Sequence, residues 1–292
     1  MFRLGHLSDP HLPPPRGALA LRDLFNKRAL SAVAWRRKHK QHDPAVLAAL
    51  LADVADQAPD HLAITGDLMN FASDAEAAQA QAWLANLGDP SRITLSPGNH
   101  DALVKPGHPQ RLAALRPWFG DDTSGDFPHV RRRGAVAIVN LRSAVPTAPH
   151  LATGELGDEQ RIELETILRD LGREGLFRLI LLHHPPTEGA VSRRKRLVDA
   201  GRLRDIVREA GAELVLHGHA HEALVGKITG PAGPVPVLGV PSASTAPGHR
   251  HASARWHLLE IAANHAITVT ARGFDRQGEP LSELGRYRLP PP

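Results

Sequence analysis

Five short apolar runs in this chain each break off into side chains that can hold a metal ion or move a proton, and that recurrence limits the fold more than any other feature. Phe2 to Ser8 runs into Asp9-Pro10-His11, and His61 to Thr65 into Gly66-Asp67. Arg92 to Leu95 leads to Pro97-Gly98-Asn99-His100-Asp101, Leu179 to Leu182 to His183-His184-Pro185-Pro186, and Glu213 to Leu216 to His217-Gly218-His219-Ala220-His221. Runs of this length bounded by turn residues read as buried strands. Between them lie stretches with helical spacing, beginning with Asp43-Pro44 as N-cap and first turn of a helix through Gln57, then residues 73 to 87. Strand, helix, strand in alternation argues a parallel sheet with its site at the strand C-termini.

Taken singly, these endings are capping acids and turn histidines. Taken together they form a constellation that chance endings of five buried strands do not explain. Asp9 and His11 stand two residues apart, as do His219 and His221, a spacing that in extended backbone puts both side chains on one face. Asn99 can ligate a metal through its amide oxygen, His100 can move a proton, and Asp101 can hold the imidazole in one tautomer. The chain has no cysteine, so a metal must be held by nitrogen and oxygen. That donor set suits manganese, iron, zinc or cobalt. Asp9, His11, Asp67, Asn99, His183, His219 and His221 exceed the needs of one zinc, and a carboxylate such as Asp67 can bridge two ions ~3.5–4 Å apart.

At 292 residues, 42% hydrophobic and 23% charged, the chain has the balance of an ordinary globule able to bury a substantial core. Its net charge of +4 suits a phosphate-bearing substrate. No apolar run is long enough to span a bilayer, and the strand-like Phe2 to Leu7 follows Met1 too closely to leave room for a secretory signal. The expectation is a cytoplasmic protein. The segment from Leu21 to Lys40 has apolar Leu21, Leu24, Phe25, Leu30, Val33 and Ala34 at nearly helical spacing, with Trp35 among a dense run of Lys and Arg. Such a basic amphipathic stretch either meets an anionic membrane surface or acidic ligand, giving a peripheral contact, or is a solvated outer helix.

Further expectations follow along the chain. Val104 to Asp126 reads as a lid or wall beside the site, Arg131-Arg132-Arg133 as a charged turn before a strand Ala135 to Leu141, and Gly157 to Leu171 as a helix burying Ile162, Leu164, Ile167, Leu168 and Leu171. Val235 to Val240, Trp256 to Ile261 and Ile267 to Ala271 read as strands closing a second sheet. With no dividing linker, the organisation expected is a single domain over 1–288 with a basic helical insertion at about 18–42 and a loose tail at 289–292.

Asp9-x-His11, Gly66-Asp67, Gly98-Asn99-His100-Asp101, His183-x-Pro185 and Gly218-His219-x-His221, in this order, resemble the motifs of the calcineurin-like metallophosphoesterases, especially bacterial cyclic nucleotide and glycerophosphodiester phosphodiesterases. The resemblance implies an α/β fold, a four-layer αββα sandwich of two mixed β-sheets flanked by helices. It implies two divalent metal ions: Asp9, His11 and His221 on one, Asn99, His183 and His219 on the other, with Asp67 bridging. A metal-bridging hydroxide would then attack phosphorus in line, and His100, fixed by Asp101, would protonate the leaving group. Asn99 and His184 would face the substrate, while His217 would be a supporting or merely buried residue. The activity so implied is hydrolysis of phosphodiester or pyrophosphate bonds in a nucleotide-like small molecule. Some family members cleave UDP-diacylglucosamine, which gives the basic stretch 21–40 a lipid-linked alternative. A scaffolding role would go with lost metal ligands, and none is lost here. Nor does the chain show the aromatic-interleaved basic groove that single-stranded nucleic acid needs.

Overall fold

The computed structural model describes residues 1–290 apart from 106, 277 and 278, and leaves out the side chains of Arg22, Leu24 and Lys38. The chain opens with β1 (Phe2–Leu7), a 3-10 turn at Leu21–Phe25 and α1 (Lys27–Lys38), followed by α2 (Pro44–Gln57), β2 (His61–Ile64), α3 (Asp74–Leu87) and β3 (Ile93–Leu95). Next come α4 (His108–Ala114), β4 (His129–Arg133), β5 (Val136–Asn140), α5 (Asp158–Arg173), β6 (Phe177–Leu181), α6 (Ala200–Ala210) and β7 (Leu214–His217). Five strands complete it: β8 (Leu224–Thr229), β9 (Pro234–Gly239), β10 (Arg255–Ile261), β11 (Ile267–Gly273) and β12 (Ser282–Leu289).

The strands form two six-stranded sheets, ordered β12-β11-β10-β1-β2-β3 and β4-β5-β6-β7-β9-β8. Both are mixed. β1, β2 and β3 run parallel, while β10, β11 and β12 extend that sheet antiparallel. β5, β6, β7 and β9 run parallel between antiparallel edges β4 and β8. A wholly parallel sheet therefore describes only three of the six strands in the first and four of the six in the second. The sequence grouping of the last strands also changes: β9 joins the second sheet, but β10 pairs with β1 in the first, and β11 with β10.

Alternation along the strands explains the layering. Leu4, Ala63, Phe177, Leu179, Leu216 and Leu259 point into a core between the sheets. Their neighbours Leu7, Leu62, Ile64 and Leu95 face the other way, onto Leu47, Leu50 and Val54 of α2 and Ala80 and Leu84 of α3. On the far side Val139, Ile180 and Val215 meet Leu164, Leu168 and Leu171 of α5 and Leu203 and Val207 of α6. This is the four-layer αββα sandwich.

Four local expectations are corrected. Arg131-Arg132-Arg133 is a strand, because Arg131 finds Asp121 and the Pro117 carbonyl while buried and Arg132 pairs with Glu174, so the charges are partnered rather than solvated. Ile162 is 70% exposed and outside the α5 face that packs. β8 and β12 went unread because edge strands that alternate exposed and half-buried residues carry almost no apolar run. Leu289 is buried and pairs with Ile267, so the strand includes the residue read as the start of a loose tail; 291 and 292 lie outside the described residues.

The layering predicts opposite outcomes for two truncations. Phe177→Ala empties a fully buried position between the sheets and should cost about 3–5 kcal/mol in urea unfolding. Ile162→Ala, on the solvent face of α5, should stay within about 0.5 kcal/mol of wild type.

Candidate metal centre

All five polar strand endings meet at the C-terminal edges of the parallel strands of both sheets. Asp9 and His11 do not reach the site along extended backbone, as their spacing had implied. Asp9, His11, Asp67, His219 and His221 all adopt left-handed backbone, with φ of 52°, 42°, 57°, 67° and 58°. Only four other non-glycine residues among those described do so, which ties this unfavourable conformation to the site. The coiled loops are held by one another: Asp9 N–H donates to the Gly66 carbonyl (2.9 Å), His11 N–H to Asp67 (3.0 Å) and Leu12 N–H to Leu68 (2.9 Å). Glycine is needed where they touch. A Cβ on Gly98 would collide with the Asp67 carboxylate, and one on Gly218 with the Ser8 hydroxyl.

Each carboxylate spends one oxygen on structure and presents the other. Asp9 Oδ2 accepts from Ser8 Oγ (2.5 Å) and the His219 amide (3.0 Å), leaving fully buried Oδ1 with no hydrogen-bond donor and His221 Nε2 3.0 Å away. Asp67 Oδ1 accepts from the His100 amide (2.8 Å), while Oδ2 lies 3.9 Å from His11 Nε2 and 3.5 Å from His183 Nε2. Beside these, His11 Nε2 and His221 Nε2 face each other at 3.4 Å, and Asn99 Oδ1 stands 3.2 Å from His183 Nε2. Two of the rings have their tautomers set from behind. His183 Nδ1–H donates to the Thr65 carbonyl (2.5 Å) and His219 Nε2–H to Lys195 (2.9 Å), so each turns its other nitrogen toward the site.

The result is a buried cluster of carboxylates and imidazoles. Burial opposes charge on Asp9, yet His221 and His183 hold its carboxyl below the usual range; Asp67 is held down likewise by His183 and His100. Burial also opposes charge on His183, but Asp67 pushes it up to about 9, a proton that an entering cation would displace. Converging carboxylate, amide and imidazole groups, among them a buried carboxylate oxygen left without a hydrogen-bond partner, fit divalent cations.

Three assigned neighbours behave differently. Asp101 does not touch His100. Its carboxylate accepts the amides of Asp67 (2.9 Å), Leu68 (3.0 Å), Met69 (3.0 Å) and Gly98 (2.8 Å), tying together the two loops that carry Asp67 and Asn99. Burial and the neighbouring Asp67 push this carboxyl up, to about 7, against the pull of those amides. His100 is oriented instead by its Nδ1–H donating to the Asn70 carbonyl (2.9 Å), in a loop whose amides at Asn70 and Phe71 are gripped by Glu76 of the α3 capping box. His184, expected to face the substrate, is fully buried, with Nδ1 on Ser143 Oγ (2.8 Å) and Nε2 on the Ala152 carbonyl (3.3 Å), and does not line the pocket. His217 is buried too, with Nδ1 on the Gly218 carbonyl.

The pocket over the cluster is walled not by Val104 to Asp126 but by α1, through Ser31, Ala34 and Trp35, together with His42, Lys195 and His251. α1 is docked by its polar side. Arg28 reaches the carbonyls of Phe71 and Ala72, Ser31 that of Asn70, and Lys27 that of Leu151. Leu21, Phe25, Leu30 and Val33 face outward. Sequence reasoning missed Asn70, Glu76 and His42; the Ser73-x-x-Glu76 capping box was a legible signal for one of them.

For Asp101, removing the acceptor should therefore resemble a loss of scaffold rather than of proton transfer. Asp101→Ala leaves four buried N–H groups unsatisfied, and a drop of about 3 kcal/mol or more with loss of bound metal is expected from calorimetry and elemental analysis. Retained stability and metal with only turnover reduced would restore the tautomer-holding role.

Comparison with known proteins agrees with this geometry. The family model described as calcineurin-like phosphoesterase matches residues 2–223. A probable cyclic nucleotide phosphodiesterase of Synechococcus sp. strain WH7803 is 30% identical over 261 residues, covering 83% of this chain and 82% of the relative. A second, from Synechococcus sp. strain PCC 6301, is 27% identical over 225 residues, 73% of this chain and 76% of its own length. Among solved structures, a dimetal phosphatase from Danio rerio superposes with a TM-score of 0.57 at 14% identity, covering 94% of this chain and 97% of that one. The purple acid phosphatase PPD1 of yellow lupin gives 0.54 at 13% identity, over 93% of this chain and 51% of its own. With its family model spanning every metal-competent strand ending, the chain belongs to the calcineurin-like phosphoesterases and is a metal-dependent phosphoric ester hydrolase.

Proposed function

We propose that this chain hydrolyses phosphodiester bonds in nucleotide-like small molecules, with cyclic nucleotides the preferred class, using two divalent cations. Asp9, His11 and His221 hold one, Asn99, His183 and His219 the other, and Asp67 lies between. The observation that carries the reading is Asp67 Oδ2, which faces His11 on one side and His183 on the other while Oδ1 is tied back by the His100 amide. When bound, such a pair lowers the pKa of coordinated water and offsets charge on phosphoryl oxygens. His100 lines the pocket with Nδ1 committed to Asn70, so Nε2 is the atom that delivers a proton to the departing oxygen. Lys195 lines the pocket, and the exposed Arg36, Arg37, Lys40, Arg193, Arg194, Arg196 and Arg250, each next or nearly next in sequence to a pocket-lining residue, make no ion pair among the described residues, a field suited to an anionic substrate. Both cyanobacterial relatives named above are called probable cyclic nucleotide phosphodiesterases, which supports the choice of substrate.

A second reading is favoured by the inverted docking of α1. Leu21 and Phe25 are 83% and 91% exposed just before α1, and Arg36 and Arg37 are exposed in its last turn, an apolar and basic mixture suited to anionic lipid. On this reading the substrate is a lipid-linked pyrophosphate such as UDP-diacylglucosamine, met at the membrane surface. No described helix is long and apolar enough to cross a membrane.

One experiment separates the two. Wild type and His100→Ala are assayed with manganese on cyclic nucleotides, glycerophosphodiesters, bis-p-nitrophenyl phosphate and a lipid pyrophosphate in anionic vesicles. The first reading expects the highest kcat/KM on cyclic nucleotides. It also expects His100→Ala to lose roughly 100-fold on alkoxide leaving groups and far less on nitrophenolate, which needs little protonation. Preference for the vesicle substrate, with co-sedimentation at low salt, would favour the second reading. No metal-dependent turnover of any phosphoric ester would overturn both.

A further inference from the structure

His42 and His251 are imidazoles of this pocket that no strand ending supplies, and of the two His42 is the one packed on His11. His42 follows α1 and directly precedes the N-cap of α2, where nothing in its sequence context marks it. Yet it lines the pocket, is 8% exposed, and has a ring nitrogen within 4.8 Å of ring nitrogens of His11 and His221. Its ring is wedged between Trp35, nearly parallel at 5.8 Å, and His11 at 4.5 Å. The backbone is clipped on both sides to the segment after β9: Asp43 N–H donates to the Ser244 carbonyl (2.9 Å), the Ala246 amide to Gln41 (2.8 Å), and His42 bridges Thr245. Such fixing from three directions is more than a surface helix end requires.

The hydrogen bonds behind the ring decide what it offers the pocket. Ser242 Oγ lies 2.7 Å from the Asp9 carbonyl, which can only accept, so the Ser242 proton goes there. Ser244 Oγ then has two partners for its own proton, Ser242 Oγ at 3.3 Å and His42 Nδ1 at 2.8 Å. The first is long for O–H···O and is shared with the Ser244 amide, itself 3.3 Å from Ser242 Oγ; the second is a normal hydrogen bond. Ser244 therefore donates to Nδ1, and the imidazole proton resides on Nε2. In that tautomer the Nε2 lone pair is not available to a metal. Nε2 is a donor, aimed at whatever anion binds beside His11 and His221.

We propose that His42 is a substrate-binding residue whose Nε2–H donates a hydrogen bond to a phosphoryl oxygen on the Asp9–His11–His221 side of the centre. The assignment rests on the two-cation phosphoesterase reading above. It makes the α1 segment part of the site's anion recognition, since Trp35 holds the donor in plane while Ser31 braces the Asn70 carbonyl that orients His100.

The test uses full-length protein loaded with manganese and two variants, His42→Phe, which keeps the stacked ring without a donor, and His42→Gln, which keeps a donor of similar reach. Metal per chain is read by elemental analysis, the Kd of inorganic phosphate by calorimetry, and kcat and KM on a soluble diester. Unchanged metal content is expected in both, with phosphate bound about tenfold more weakly by His42→Phe, a higher KM, and a smaller loss in His42→Gln. Loss of a metal ion from His42→Phe would make the ring a ligand and overturn the proposal. Wild-type phosphate affinity in a fully loaded His42→Phe would reduce His42 to packing and overturn it equally. A wild type that binds no metal would fail at the underlying reading, and this assignment would fall with it.

Discussion

The arrangement depends on a cluster of buried carboxylates and imidazoles that offset one another only in part. Two carboxylates, a side-chain amide and four imidazoles converge beneath a pocket that Lys195 helps to line, and Asp9 Oδ1 is sealed from solvent with the His221 ring beside it. Burying such groups unpaired costs several kcal/mol. Five residues in left-handed backbone add on the order of 1–3 kcal/mol each. A fold carries that load when cations return it on binding, so metal affinity and fold stability are coupled here. The supports are correspondingly rigid: Asp101 fastens four amides, Glu76 braces the loop behind His100, and the two sheets fix the strand ends between which the loops are strung.

Much of this was legible because strands and their endings are written locally. Short apolar runs mark β1, β2, β3, β6 and β7, and each ending lies next to its strand. What escaped was set by contacts distant in sequence. The pairing of β10 with β1 joins residues some 250 positions apart, and no local pattern encodes which sheet a late strand enters. Asp9 and His11 were correctly brought together on a mistaken ground: coiled left-handed loops do the work credited to a pleat. Asp101 stands next to His100 in sequence, yet its carboxylate turns to the amides of a neighbouring loop, which a motif cannot reveal.

The basic stretch shows the same limit more sharply. Helical spacing of Leu30, Val33 and Ala34 marked a basic amphipathic stretch for a membrane surface, an acidic ligand or solvent, without telling which side meets the protein. The polar side does, because the surface beneath α1 includes the carbonyls of Asn70, Phe71, Ala72 and Leu151, for which Arg28, Ser31 and Lys27 are the matching partners. Polar docking brings Trp35 and His42 over the centre and turns the apolar stripe outward. One segment thus shapes the pocket and supplies an outer apolar surface.

The central claim is that Asp67 stands between two cations. Diffraction from crystals grown with manganese, collected on both sides of its absorption edge, locates such ions directly. The account predicts two anomalous peaks per chain, one bounded by Asp9, His11 and His221, the other by Asn99, His183 and His219, with Asp67 Oδ2 within bonding distance of both. A single peak at full manganese occupancy, or two peaks that leave Asp67 unliganded, would contradict it.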